Sequence, residues 1–314
     1  MTPTELPANA PQAPTVTVII PSYNHAAYLR ECIDSVLAQD YAPIEVVVVD
    51  DGSTDGSMDI LRGFGNRIAV IEQRGGRQAR ARNLALAASR GELVAFVDSD
   101  DRFCPGRLRA AVQALVAAPD VDVAWCDFRT IDDAGRPTAE FRWRPREADF
   151  RLELIAGNPI CNAAVTVRRS ALERIGGFDE RIPRACDGAA WYQIAGTGGR
   201  FHHIDAIGID YRVHASNDSG RFVLMAKDRD IALTDAARTY LRNGVVSTVA
   251  QKRWLRTRLL RQFAFRAAAE ANDALPAGPV VRLAGRALRA LGSDPVLGAL
   301  AVAQRWRRRW RAAA

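Results

Sequence analysis

Four short apolar runs, each halted by a polar loop, constrain this chain more than any other feature. Residues 15–20 read TVTVII before Pro21 and Ser22, and residues 44–49 read IEVVVV before Asp50 and Asp51. Residues 67–71 supply a third run, and residues 93–97 a fourth that passes straight into Asp98. β-Branched stretches of this length suit strands buried on both faces. Between them, residues 26–39 carry Leu29, Ile33, Val36 and Leu37 at helical spacing, and residues 57–63 and 78–89 also read as helices. Strand–helix alternation of this kind predicts an α/β fold with a mainly parallel sheet flanked by helices.

Beyond Asp101 the pattern loosens. Residues 121–128 and 163–167 read as strands, 169–175 as a short helix, and 132–150 as a long polar loop rich in Arg and acid. From about residue 222 the chain reads as helical, with a break at residues 276–279, and no internal repeat is present. At 314 residues, with 48% hydrophobic and 25% charged side chains, the composition is that of a folded globular protein. There is no run of about 18 apolar residues that would cross a membrane. The first 14 residues read as a disordered leader without a signal peptide, which gives a cytoplasmic expectation. The five cysteines are scattered without metal-ligand spacing, so reduced thiols are expected and zinc is not.

The net charge of +7 hides an asymmetry: residues 1–220 carry 24 Arg against 30 acids, and residues 221–314 carry 19 Lys and Arg against 6 acids. A basic tail of that kind points to an acidic surface. Within it, Arg282, Arg286 and Arg289 share one helical face, and Trp306 and Trp310 sit one turn apart in RWRRRWR. Arg heads beside amphipathic Trp rings suit a helix lying on anionic lipid, with packing against the domain as the alternative. The acidic first 220 residues argue against nucleic acid.

The chemistry gathers where strands end. In open α/β sheets ligands sit at the carboxyl ends of the strands, and here those ends read PSYN, DDGSTD and DSDD. Asp98 and Asp100 form D-x-D in an extended segment, so both carboxylates can face one ligand. Such oxygens suit Mg²⁺ or Mn²⁺ shared with substrate phosphates; a solvated loop start is the plainer explanation. Asp50 can accept from a ribose or base edge, while Ser53 or Asp55 caps the helix that follows. The glycine-rich dinucleotide motif and the phosphate-binding loop with its lysine are both absent, and the chain has only two lysines.

The segments VTVIIPSYNHAAYLRECIDSVLAQDYAPIEVVVVDDGSTDGS and ARNLALAASRGELVAFVDSDD resemble the two N-terminal blocks of the family 2 glycosyltransferases. GGFDE, an Asp before Trp191, and YRVHASNDS resemble later blocks in the same order, so the likeness spans about residues 15–220. It implies a GT-A fold with a Rossmann-like nucleotide-binding half, a glycosyltransferase domain over 15–220 and a basic helical region over 221–314. It also implies a sugar-nucleotide donor (UDP-sugars first), a divalent metal (Mn²⁺ or Mg²⁺), inversion at the anomeric carbon, and a saccharide or lipid-linked acceptor for surface polysaccharide. By position, Pro21, Tyr23 and Asp50 would line the nucleoside pocket, with Arg77, Arg82 and Arg212 as further donor contacts. Asp98 would meet the ribose or donor sugar, and Asp100 and His214 the metal. Asp187 stands where the family has the Asp of a Glu-Asp motif, its general base.

Here the chain departs from the pattern. Cys186 replaces the usual Glu, and Gly188-Ala189 stands where Trp-Asp is common. A catalytically weakened, sugar-nucleotide-binding relative with a scaffolding role is therefore the alternative. His25 reads as decoration of the first loop, and His202-His203 as part of a half-exposed strand. Trp125 reads as core, with Trp191 divided between core and sugar stacking.

Overall fold

A computed structural model describes residues 13–144, 149–214, 217 and 222–274. Four parallel strands come first: β1 (Val16–Ser22), β2 (Ile44–Asp50), β3 (Ala69–Glu72) and β4 (Leu93–Phe96). They alternate with α1 (Ala26–Leu37), α2 (Ser57–Arg62) and α3 (Arg77–Ala88), as the apolar runs require. Then follow β5 (Arg102–Phe103), α4 (Arg107–Ala117), β6 (Val123–Ile131), β7 (Pro137–Phe141), α5 (Phe150–Gly157), β8 (Val165–Arg168), α6 (Arg169–Arg174), α7 (Cys186–Gly196), β9 (Phe201–Arg212), α8 (Phe222–Arg242) and α9 (Val249–Ala274).

All nine strands join one sheet in the order β3-β2-β1-β4-β8-β6-β9-β5, with β7 hydrogen-bonded to β6. The parallel order holds through β4, and the sheet then turns mixed, because β8 runs antiparallel to both β4 and β6 while β6 and β9 run parallel. Alternate residues of each strand feed opposite cores. Val18, Ile20, Val46 and Val48 pack against Leu29, Ile33 and Val36 of α1 and Leu61 of α2. Ile19, Val47, Val49 and Phe96 pack against α3 and α7, in a core that also takes Leu233, Ala236 and Tyr240 of α8 and Leu255 of α9.

Three elements depart from the expectation. The polar stretch 132–150 contains β7, an exposed edge strand that a turn at Gly135 (φ +77°) folds back onto β6, with a 2.7 Å Thr130–Thr138 hydroxyl contact. Its alternation is too weak to stand out in the sequence. The third apolar run forms an exposed edge strand, β3. β9 spans 12 residues, far beyond the half-exposed histidines that suggested it, and its bulged pairing with β6 breaks the period. All five cysteines are free. The 276–279 break and the Trp/Arg tail lie outside the described residues. Among those described, no helix is long and apolar enough to cross a membrane.

Candidate active site

The register that aligns Ser22 with Asp50, and Ile19 with Phe96, brings the loops after β1, β2 and β4 to one edge. The first two are laced together. Asn24, in left-handed backbone (φ +54°), accepts from Thr54 N–H at 2.8 Å, and its own N–H donates to Ser53 Oγ at 2.8 Å. Asp55 accepts from Ala26 N–H at 2.9 Å and from Ser57 N–H at 3.2 Å, so one carboxylate caps the starts of both α1 and α2. Burial would raise its pKa, but these bonds and the Ser57 hydroxyl lower it below the usual carboxylate range.

Asp50 is buried, and its Oδ1 accepts from Gly52 and Ser53 N–H at 3.1 and 2.8 Å. Its Oδ2 is also buried and has no partner. An orphaned carboxylate oxygen is costly, and its natural remedy is a donor arriving from outside. Asp51 turns the other way and accepts from Gly76 and Arg77 N–H at 2.9 and 2.8 Å, pinning the start of α3. Arg77 adopts φ +59°, which accounts for the glycine that the family often places there. Its side chain is exposed, as is Tyr23, while Pro21 is half-buried opposite Val49.

The DSDD loop concentrates three carboxylates. Burial raises the Asp98 carboxyl; the Arg82 guanidinium opposes this and Asp100 and Asp187 add to it. Asp98 keeps 27% of its side-chain surface exposed, so solvent tempers that shift. Asp101 is pushed well above the usual range by burial and by the neighbouring Asp100 and Asp98. Asp100 goes the opposite way. Burial would raise it, but the His214 hydrogen bond and the positive fields of His25 and His214 bring it below the usual range.

His214 Nε2 lies 2.9 Å from Asp100 Oδ2, joined at 3.2 Å by Asn217 Nδ2. The two residues expected to hold a metal are thus together. His25, expected only to decorate its loop, stands with them: its Nε2 is 4.0 Å from the same oxygen. Sequence reading missed it because nothing local links His25 to the DSDD loop 73 residues on.

Two arginines expected to contact the donor are engaged within the protein. Arg82 is 1% exposed, donates to Asp98 Oδ1 at 3.1 Å and Cys186 Sγ at 2.9 Å, and lies over the Phe178 ring. Arg212 is 2% exposed; it donates to Glu31 Oε2 at 2.6 Å and to the carbonyls of Asp100, Asp132 and Asp133 at 2.9 to 3.1 Å. Both position the acidic loop from behind. Asp187 opens α7 beside this cluster, half-buried, with no hydrogen-bond partner among the described residues. Cys186 fills the place of the family Glu as a neutral thiol, since burial pushes it up to about 11 against the pull of Arg82. Trp191 is fully buried against Phe96 and Phe178, which settles it as core, and Trp125 is likewise core.

The polar strand ends and the DSDD loop fall within the match to one family model, glycosyl transferase family 2, over residues 17–176. The chain belongs to that family. It is 28% identical over 209 residues to an uncharacterised glycosyltransferase of Rickettsia prowazekii, covering 65% of each chain. It is 33% identical over 217 residues to one of Nostoc, covering 65% of this chain and 66% of the other. The chain thus spans just under two thirds of the length of these relatives. Among solved structures, S. aureus TarS matches with a TM-score of 0.60 at 21% identity, over 79% of this chain and 43% of TarS. The mannosyltransferase PcManGT of Pyrobaculum calidifontis, in complex with GDP-Man and Mn²⁺, matches with a TM-score of 0.57 at 23% identity, over 95% of this chain and 84% of that one. Both likenesses place the sheet and its helices in the GT-A class.

Proposed function

We propose that the chain is an inverting glycosyltransferase, moving a sugar from a nucleoside-diphosphate donor, UDP-sugars foremost, to a hydroxyl of a saccharide or lipid-linked acceptor. One observation carries the reading: the buried, unpartnered Asp50 Oδ2 sits at the end of β2, on the sheet edge that also carries the Asp100–His214 pair. That edge offers an acceptor for a nucleoside donor group beside a carboxylate–imidazole set for a cation on the diphosphate. Solved relatives bind such ligands, TarS with UDP and UDP-GlcNAc and PcManGT with GDP-Man and Mn²⁺.

Pro21 and Tyr23 flank the nucleoside, Asp50 accepts from its ribose or base, and the exposed Arg77 is placed to meet phosphate. Asp98, held by Arg82, takes hydroxyls of the ribose or donor sugar, and Arg212 keeps the loop in place beneath it. The donor set of one carboxylate and one imidazole suits Mn²⁺ or Mg²⁺, held by Asp100 and His214; such an ion supplies Lewis-acid stabilisation of the departing diphosphate. Asp187 takes the proton from the acceptor hydroxyl as its oxygen bonds to the anomeric carbon and the bond to the diphosphate breaks. Its free carboxylate supports that role.

The 15–220 unit is extended by α8 and α9, whose Leu233, Ala236, Tyr240 and Leu255 join its core, and the remainder of the basic region 221–314 is the lipid-facing part of a peripheral protein at the inner face of a membrane. Deleting residues 292–314 then releases the protein from anionic liposomes, and unchanged binding refutes that placement.

Thermal stability against UDP, GDP, dTDP and CMP, each with and without Mn²⁺, tests the donor site. A ligand at about 100 times its Kd stabilises by about 2.7 kcal/mol. A metal-dependent shift with one diphosphate, lost in Asp100→Ala, is the expected result; no shift with any of them refutes the reading. Asp187→Asn should lower turnover by about 10²-fold or more and leave nucleotide affinity intact. Cys186 in place of Glu favours a second reading, a nucleotide-sugar-binding scaffold; nucleotide binding without turnover on any acceptor would select it.

A further inference from the structure

The start of α1, the loop after β4 and the end of β9 bring two imidazoles and one carboxylate around a single point. His25 Nε2, His214 Nε2 and an Asp100 carboxylate oxygen form a set whose ligand atoms all lie within 4.8 Å of one another. Asp100 and His214 are buried and His25 is half-buried, so one side of the set opens outward. The His25 ring is oriented from behind. Its Nδ1 lies 2.8 Å from Ser99 Oγ, and Ser99 is itself 1% exposed. The ring also meets His214 edge-on at 5.7 Å and Tyr28 at 6.3 Å. A histidine that binds metal through one nitrogen engages a hydrogen-bond partner through the other, which fixes its tautomer and direction. Ser99 supplies that partner, and Nε2 is left facing Asp100.

We propose that His25 is a third protein ligand, giving this chain a His–His–Asp site that takes Mn²⁺ in preference to Mg²⁺ and holds it before any nucleotide arrives. The proposal rests on the reading that Asp100 and His214 carry the metal. Its physical basis is the donor set. Mg²⁺ seeks oxygen, keeps its waters, and usually leans on one or two carboxylates plus substrate phosphates. Imidazole is the softer donor and suits first-row transition ions. With two nitrogens in three positions, the protein offers Mg²⁺ a poor shell and gives Mn²⁺ three anchors without help from a diphosphate. A one-carboxylate, one-histidine site would instead need the nucleotide to complete its hold.

The test is Mn²⁺ titration of the full chain, followed by electron paramagnetic resonance of the free ion, with no nucleotide and then with UDP. The wild type should bind one Mn²⁺ per chain without nucleotide, and a large excess of Mg²⁺ should fail to displace it. His25→Gln, which keeps the volume, should weaken that binding by about 100-fold, and Ser99→Ala by about tenfold. His25→Asp should shift the preference toward Mg²⁺. Pulsed spectra of the bound ion should show two imidazole nitrogens in the wild type and one in His25→Gln, a signature that a merely structural role for His25 would not alter. Wild-type affinity in His25→Gln, or Mn²⁺ binding that appears only with UDP, overturns the inference and leaves the donor-site reading standing. If the wild type binds no Mn²⁺ even with UDP, the metal reading of Asp100 and His214 falls with it.

Discussion

The β3-β2-β1-β4 half and the β6–β9 half are held together by different chemistry. In the first, Val18, Ile19, Ile20, Val48 and Phe96 are fully buried, and Asp50 closes the loop that follows it by accepting from Gly52 and Ser53 N–H. In the second, arginines, buried or half-buried, span long gaps in sequence. Arg107 donates to Thr166 Oγ1 and to the carbonyls of Ala163 and Val165, and Arg168 to those of Val121 and Leu115. Arg107 has no carboxylate partner among the described residues, and burial lowers its pKa to about 10. Apolar strands accept any apolar neighbour of the right size, so local pattern suffices. A buried guanidinium needs particular acceptors in place, so that half is specified only when the whole chain has assembled.

Removing one strut should therefore have the largest effect. Arg212→Ala should cost about 3 kcal/mol in urea unfolding, since the carbonyls of Asp100 and Asp133 lose a buried donor and Glu31 is left with Arg102 alone. A loss below about 1 kcal/mol would erase the contrast between the halves. In the apolar half, Ile19→Ala should cost about 3 kcal/mol by leaving a cavity.

A third substitution sharpens the comparison through pH. Asp210 is buried among Arg102 and Arg129; burial would raise it, but their hydrogen bonds and charges lower it below its ordinary value of 3.8. A carboxylate lowered in the folded state contributes stability above that ordinary value and loses it as pH falls through the folded one. Asp210→Asn should thus cost about 1–2 kcal/mol at pH 7, and the gap should close as the pH is taken from 5 toward 2. The smallest effect belongs to Arg62→Ala, which breaks an i,i+3 pair with Asp59 whose side chains are 69% and 82% exposed. It should change stability by less than about 0.5 kcal/mol.

The strands from Val16 to Phe96 were readable because each apolar run is continuous and closes on a polar residue, Ser22, Asp50, Glu72 or Asp98. The capping of α2 by Asp55 was readable too, because that cap acts within a few residues, whereas its bond to Ala26 N–H at the start of α1 crosses 29 residues and was not. β7 was not readable, since its five exposed residues carry no sharp period, and Trp191 could not be assigned until Phe96 and Phe178 closed around it. Arg82 and Arg212 stood near the right loops in the sequence, but only packing turned them inward.

The sequence by itself determined that three polar loops would meet at the carboxyl edge of a parallel sheet, because the apolar period and the alternation of strand and helix are local properties. It also determined that D-x-D would lie there. Only the tertiary structure decided which side chains face one another across that edge. His25, Asp100 and His214 converge from α1, the loop after β4 and the end of β9, and Cys186 rather than an acid meets Arg82. The physical reason is that ligand geometry and buried charge depend on distances of a few ångströms between residues far apart in the chain, which no local pattern encodes.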